Sequence, residues 1–159
     1  MKLIKSPDYY MQKAFREALK AYKAEEVPVG AIAVRNGKII ARSHNQKENK
    51  QSPTAHAELL VMQKAAKKLK SWRLLGVTIY STLEPCPMCA GIIVLSMLEG
   101  VVAGSNQQDM KNYRLKNSNK HYLWRNFEIR AKKILQSGIP KPYIIENFMR
   151  EECNKLYHN

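Results

Sequence analysis

From about Asp8 to Glu26 apolar side chains recur at helical spacing, at Met11, Phe15, Ala18, Leu19 and Tyr22, with Lys and Glu between them. That period predicts an amphipathic helix, stopped by Pro28 and Gly30. Ala31–Val34 and Lys38–Ala41 are short runs of strand character. Asn36-Gly37 between them predicts a tight hairpin, because both residues tolerate positive φ. A polar stretch follows from Arg42 to Pro53. Pro53 suits a first helical turn, and Thr54–Leu69 carries helical apolar spacing at Leu59, Met62, Ala66 and Leu69.

Val77–Ser81 is rich in β-branched and aromatic residues and predicts a strand. Pro87 again fits a first turn, and Met88–Leu98 is apolar enough for a largely buried helix that Gly100 ends. Val101–Gly104 reads as the next strand. Ser105–Ser118 is polar without clear periodicity, Trp124–Leu135 predicts a basic helix ended by Gly138 and Pro140, and Tyr143–Ile145 a short strand. A final helix is expected from Glu146 to the end. With no internal repeat and no low-complexity linker, residues 1–159 are expected to form a single domain. Strands alternating with helices point to a layered α/β fold.

Composition supports that picture and adds a compartment. At 159 residues, 45% of them apolar, the chain can bury a proper core. No apolar run is long enough to cross a bilayer, and the first residues lack the apolar segment of a secretory signal. Of the three cysteines, two stand in one C-x-x-C, which argues for a reducing compartment; a cytoplasmic protein is expected. The net charge of +14, from 27 Lys and Arg against 13 Asp and Glu, gives a positive field that attracts polyanions. Lysine is spread along the whole chain, so the charge fits either nucleic-acid binding or a generally basic surface.

The chemistry is concentrated in two segments, Thr54-Ala55-His56-Ala57-Glu58 and Thr82-Leu83-Glu84-Pro85-Cys86-Pro87-Met88-Cys89-Ala90-Gly91. Cys86 and Cys89, two residues apart at a helix start, can aim two thiolates at one metal, and the helix N-terminus favours the thiolate form. His56 supplies a third ligand. Zinc accepts this N/S set, and with no second C-x-x-C the fourth position stays open, as in a catalytic site. Glu58 is near enough to carry a proton to and from an activated water without ligating the metal. A Pro-Cys-x-x-Cys alone would equally fit a redox dithiol or half of a structural zinc site. Joined to His-x-Glu in this order, it is the pattern of hydrolytic zinc deaminases.

On these motifs the chain resembles the cytidine-deaminase-like zinc deaminases, and within them the branch of bacterial tRNA-specific adenosine deaminases. The resemblance is carried by Glu26–Ala31, Ala41–Asn45, Pro53–Glu58, Ser71–Leu74 and Thr82–Gly91. It implies a three-layer α/β/α fold around a five-stranded mixed sheet, one Zn2+ per subunit, a homodimer, and the wobble adenosine of a tRNA anticodon arm as substrate. It also implies substrate contacts from Asn45 to the sugar or base edge and from Val29 against the flipped-out base. The backbone at Ala57 and Cys86, with the Glu84-Pro85 turn, would shape the pocket floor.

After Gly104 the likeness fades. A basic and aromatic stretch holds Tyr113, Arg114, Lys116, Lys120, His121, Tyr122, Trp124, Arg125, Arg130, Lys132 and Lys133. It fits an RNA-contacting surface of interleaved aromatics and cations, a lid over a small base or nucleoside, or a helix packed on a dimer partner. Three functions therefore stand: a tRNA adenosine deaminase, a deaminase of free bases, nucleosides or nucleotides, and a noncatalytic zinc-stabilised RNA-binding module. The intact Glu58 weighs against the last. Cys153 is expected as a buried helix cysteine rather than a ligand.

Overall fold

The computed structural model describes residues 5–116 and 127–157. The chain enters through α1 (Pro7–Lys23), whose start is defined by Ser6, accepting a hydrogen bond from the Tyr9 N–H, with Pro7 in the first turn. The helix ends three residues before the expected Glu26. Ala24 closes it, Glu25 adopts a left-handed φ of 58°, and the chain turns so that Glu26 points inward. β1 (Gly30–Arg35) and β2 (Lys38–His44) form the expected hairpin, with Asn36 and Gly37 both at positive φ.

A short α2 (Lys47–Lys50) lies in the stretch expected to be irregular. α3 (Ala57–Leu69) begins later than Pro53, because the segment from Pro53 to Ala55 is a turn and His56 takes an extended backbone as N-cap. β3 (Val77–Leu83) is followed by α4 (Pro87–Leu95), which stops before Leu98 where Met97 turns left-handed at φ 60°. Gly100 was expected to end that helix and instead opens β4 (Gly100–Ser105), where an added Cβ would meet the Tyr143 ring.

α5 (Gln107–Lys116) occupies a stretch whose apolar pattern predicts no helix. Its signal is polar. The Asn106 side chain accepts from the Asp109 N–H (2.9 Å) while the Asp109 carboxylate accepts from the Asn106 N–H (3.1 Å), a reciprocal capping box. α6 (Ala131–Gln136) covers the later part of the basic helix expected from Trp124. Residues 117–126, with Lys120, His121, Tyr122, Trp124 and Arg125, lie outside the described residues. β5 (Tyr143–Ile145) forms as expected. The final helix is shorter than expected: Asn147 and Met149 turn left-handed before α7 (Arg150–Asn154), and a 3-10 turn, Lys155–Tyr157, follows.

The strands form one mixed sheet in the order β2-β1-β3-β4-β5, antiparallel through β2, β1 and β3 and parallel from β3 to β5. Side chains alternate between faces, as a pleated strand requires. Ala31, Ala33, Val77, Ile79, Leu83 and Val101 pack with Val61 and Met62 of α3 and Ala90 and Ile93 of α4. On the other face Ile32, Val34, Tyr80 and Val102 meet Tyr10, Met11 and Ala14 of α1 and Cys153 of α7. The architecture is the expected five-stranded α/β layering.

α1 crosses β1 at close quarters over Gly30, where a Cβ would collide with the backbone of Ala14 and Ala18. Neither neighbour is a flexible side-chain end, so one element must move. Gly30→Ala is expected to lower the unfolding free energy by about 2 kcal/mol in urea titration; an unchanged midpoint would show that α1 can slide at no cost.

Candidate metal centre and its surroundings

Two helix starts converge at one end of the sheet. His56 caps α3, Cys86 caps α4, and Cys89 sits in the first turn of α4 behind Pro87. The His56 Nδ1 lies 3.6 Å from the Cys86 Sγ and 3.8 Å from the Cys89 Sγ, and all three donor atoms fall within 4.8 Å of one another. Nitrogen and sulfur ligands of a tetrahedral zinc, at about 2.1 and 2.3 Å from the metal, stand about 3.6 Å apart. The donor set and its spacing therefore fit a zinc ion. Among the described residues this is the one group of three or more His, Cys, Asp or Glu side chains close enough to hold a metal.

The three donors shift one another's protonation strongly. The Cys86 thiol is brought down to about 4, chiefly by the hydrogen bond from the Cys89 thiol, against burial, with His56 and the Cys89 N–H assisting. Cys89 is pushed well above its ordinary value by that shared bond and by burial. His56 is raised, first by its bond to Cys86 and against burial. Of the three, only Cys86 is shifted toward the deprotonated form that a metal ligand needs; a bound cation would displace the protons that Cys89 and His56 hold.

Glu58 lies one helical residue inside α3 and is 4% exposed. The Ser81 hydroxyl lies 3.2 Å from its Oε1 and 2.8 Å from the Leu83 carbonyl, and shares its one proton between these two acceptors. Burial pushes its carboxyl up to about 7, partly offset by His56 and reinforced by Cys86. Such a group can both take and return a proton near neutral pH. Ser81 itself escaped the sequence reading. Its signal is position: it occupies the row of Val77, Ile79 and Leu83, where each other member is apolar and buried.

The remaining expected residues fall into two groups. Asn45 and Val29 are brought together, since the Asn45 N–H donates to the Val29 carbonyl at 3.0 Å. The Asn45 Oδ1 is taken by the Lys47 N–H (2.9 Å), so its Nδ2 is the atom left for a ligand. Glu26, buried at 1% exposure, supports this loop by accepting from the Glu48 and Asn49 N–H groups at the start of α2. Ala57 is fully buried and Pro85 is buried, so both offer backbone rather than side chain.

Glu84 behaves differently. Its carboxylate accepts from the Gln107 N–H (3.0 Å), the Ala131 N–H (2.9 Å) and Arg130 Nε (2.8 and 2.9 Å to the two oxygens). It caps α5 and α6 at once, two residues before Cys86. Its carbonyl oxygen accepts from the Gln107 side chain at 2.8 Å.

Residues 5–141 match the family described as MafB19-like deaminase. The chain belongs to that family. Among curated relatives, the tRNA-specific adenosine deaminase of Bacillus subtilis is 56% identical over 98 residues, covering 62% of this chain and 61% of the relative. That of Aquifex aeolicus is 46% identical over 95 residues, covering 60% and 63%. The chain thus spans about three fifths of the length of these relatives. A solved structure from a study of A-to-I editing by tRNA:A34 deaminases is 39% identical, with a TM-score of 0.61 over 62% of this chain and 76% of that one. Guanine deaminase from Nitrosomonas europaea superposes over 99% of this chain and 85% of its own, with a TM-score of 0.83 at 18% identity. The fold shared with that guanine deaminase therefore extends over nearly the whole chain, well beyond the part that resembles the tRNA enzymes in sequence. No helix among the described residues is long and apolar enough to cross a membrane.

Proposed function

We propose that this protein is a zinc-dependent hydrolytic deaminase that converts the wobble adenosine of a tRNA anticodon arm to inosine. The observation that carries the reading is a buried Glu58 beside an N/S/S metal trio, in a chain 56% identical over 98 residues to a tRNA-specific adenosine deaminase. His56, Cys86 and Cys89 would hold one zinc per subunit. Zinc bound there supplies Lewis-acid activation of the attacking water.

Glu58 accepts the proton that water loses, delivers it to the ring nitrogen, and assists the departure of ammonia. Ser81 holds the carboxylate in line through its hydroxyl. The Asn45 Nδ2 donates to an acceptor on the sugar or base edge, Val29 packs against the base, and the backbones of Ala57, Glu84 and Pro85 form the floor. The charge of +14 suits a polyanionic substrate. A single domain across residues 1–159, a homodimer and a cytoplasmic location belong to the same reading.

The test offers the zinc-loaded protein an anticodon stem-loop with a wobble adenosine beside a panel of free bases and nucleosides. Inosine in the RNA is the expected product; turnover of small molecules alone would replace the substrate. Asn45→Asp, which exchanges the one unspent donor for a repelling acceptor, is expected to lower kcat/KM by about 100-fold with metal content unchanged. Wild-type kcat/KM in that variant would remove Asn45 from the site.

A further inference from the structure

Cys86 is fixed from two sides. On one side its carbonyl accepts from the Ala90 N–H at 2.9 Å, which closes the first turn of α4. On the other the chain leaves β3 and reaches Cys86 through Glu84 and Pro85. The polar groups of Glu84 are held by elements that come later in the chain. Its N–H donates to the Ser105 carbonyl at the end of β4 (2.8 Å), and its carbonyl accepts from the Gln107 Nε2 (2.8 Å). Its carboxylate accepts from the Gln107 and Ala131 N–H groups and from Arg130.

The carbonyl is the group that bears on the metal. The Glu84–Pro85 peptide is planar and the proline ring locks the next φ. Once that carbonyl is held, rotation about ψ of Pro85 alone moves the Cα of Cys86. Glu84 is 1% exposed and Gln107 half-buried, so water competes little for the bond between them. A zinc site needs its ligand distances right to within about 0.2 Å. A turn free to rock would carry the Cys86 Sγ through more than that.

We infer that Gln107 is a positioning residue for the metal centre: its side-chain amide, bonded to the Glu84 carbonyl, fixes where Cys86 presents its thiolate and so sets how tightly zinc is held. Gln107 acts through the Glu84-Pro85 turn rather than on the metal. Its backbone N–H, bonded to the Glu84 carboxylate, serves the start of α5 instead, so a side-chain variant separates the two roles. The inference rests on the zinc reading above.

Gln107→Met keeps the backbone N–H and nearly the length and bulk of the side chain, and removes the amide. Competition with a chromophoric chelator is expected to give a zinc Kd about tenfold above that of wild type. Gln108→Met, on the exposed face of the same helix, loses a bond to Asn112 and is expected to bind zinc as wild type does. Gln107→Ala supplies the comparison if the methionine variant does not fold, with the same tenfold loss expected. A wild-type zinc Kd in the Gln107 variant would overturn the inference, and a lowered unfolding temperature of the metal-free protein beside it would mark the amide as structural only. An equal loss in Gln108→Met would also overturn it, by making the effect a general property of α5. Wild-type protein that takes up no zinc would remove the metal reading itself and this inference with it.

Discussion

Glu58→Gln is expected to abolish nearly all deamination, with kcat falling by at least about 1,000-fold, while the protein keeps a full complement of zinc. The substitution is close to isosteric, and an amide oxygen can still accept the Ser81 hydroxyl that now reaches Oε1 at 3.2 Å. The metal trio does not include residue 58, so its three donors are untouched. What disappears is the capacity to hold and release a proton. Among the described residues the other buried glutamates are committed elsewhere: Glu17 to Lys20, Glu26 to the start of α2, and Glu84 to α5 and α6. Metal content by atomic emission and turnover on the stem-loop decide the matter together. Substantial turnover in a zinc-loaded variant would remove the assignment of Glu58; loss of zinc would recast it as a support for the ligands.

Glu84→Ala is expected to be the most damaging single change to stability, at about 3 kcal/mol in urea denaturation, with activity lost in parallel. The Glu84 side chain is 1% exposed, and its removal orphans the Gln107 and Ala131 N–H groups at two helix starts. Each buried donor left without a partner costs about 1–2 kcal/mol. The ion pair adds less, because the Arg130 side chain is 42% exposed and its charge remains in contact with water. Glu84→Gln keeps an acceptor for one of the helix starts and is expected to cost roughly half as much. A loss below about 1 kcal/mol in the alanine variant would mean that α5 and α6 are held by their apolar contacts alone.

Part of this molecule is written locally and part is not. The hairpin at Asn36-Gly37 was legible because two adjacent residues that accept positive φ leave the chain little choice. The α5 helix was written too, but in polar code: the Asn106–Asp109 box signals a start that apolar periodicity cannot show. The late start of α3 and the early ends of α1 and α4 turn on single residues, and the left-handed Glu25 and Met97 have no side-chain signature. Cys153 is the buried helix cysteine expected.

For the site, spacing along the chain named the donor types and placed Glu58 near His56 and Cys89 near Cys86, while tertiary structure brought His56 to the cysteines 30 and 33 positions away. A histidine two residues from a glutamate, and two cysteines one turn apart behind a proline, name a ligand set and a free carboxylate before any fold is known. Short separations along the chain limit where side chains can go, whatever surrounds them. Tertiary structure alone decided what those residues rest on. Ser81 reaches Glu58 across 23 positions, Glu84 joins Gln107 and Arg130 across 23 and 46, and the Gly30 N–H donates to Thr82 across 52. Contacts of that range exist only once β1, α3 and the starts of α5 and α6 lie against β3 and the turn that follows it, and burial has removed the water that would otherwise satisfy each group. Local spacing specified the donor types; the sheet brought them together and specified their supports.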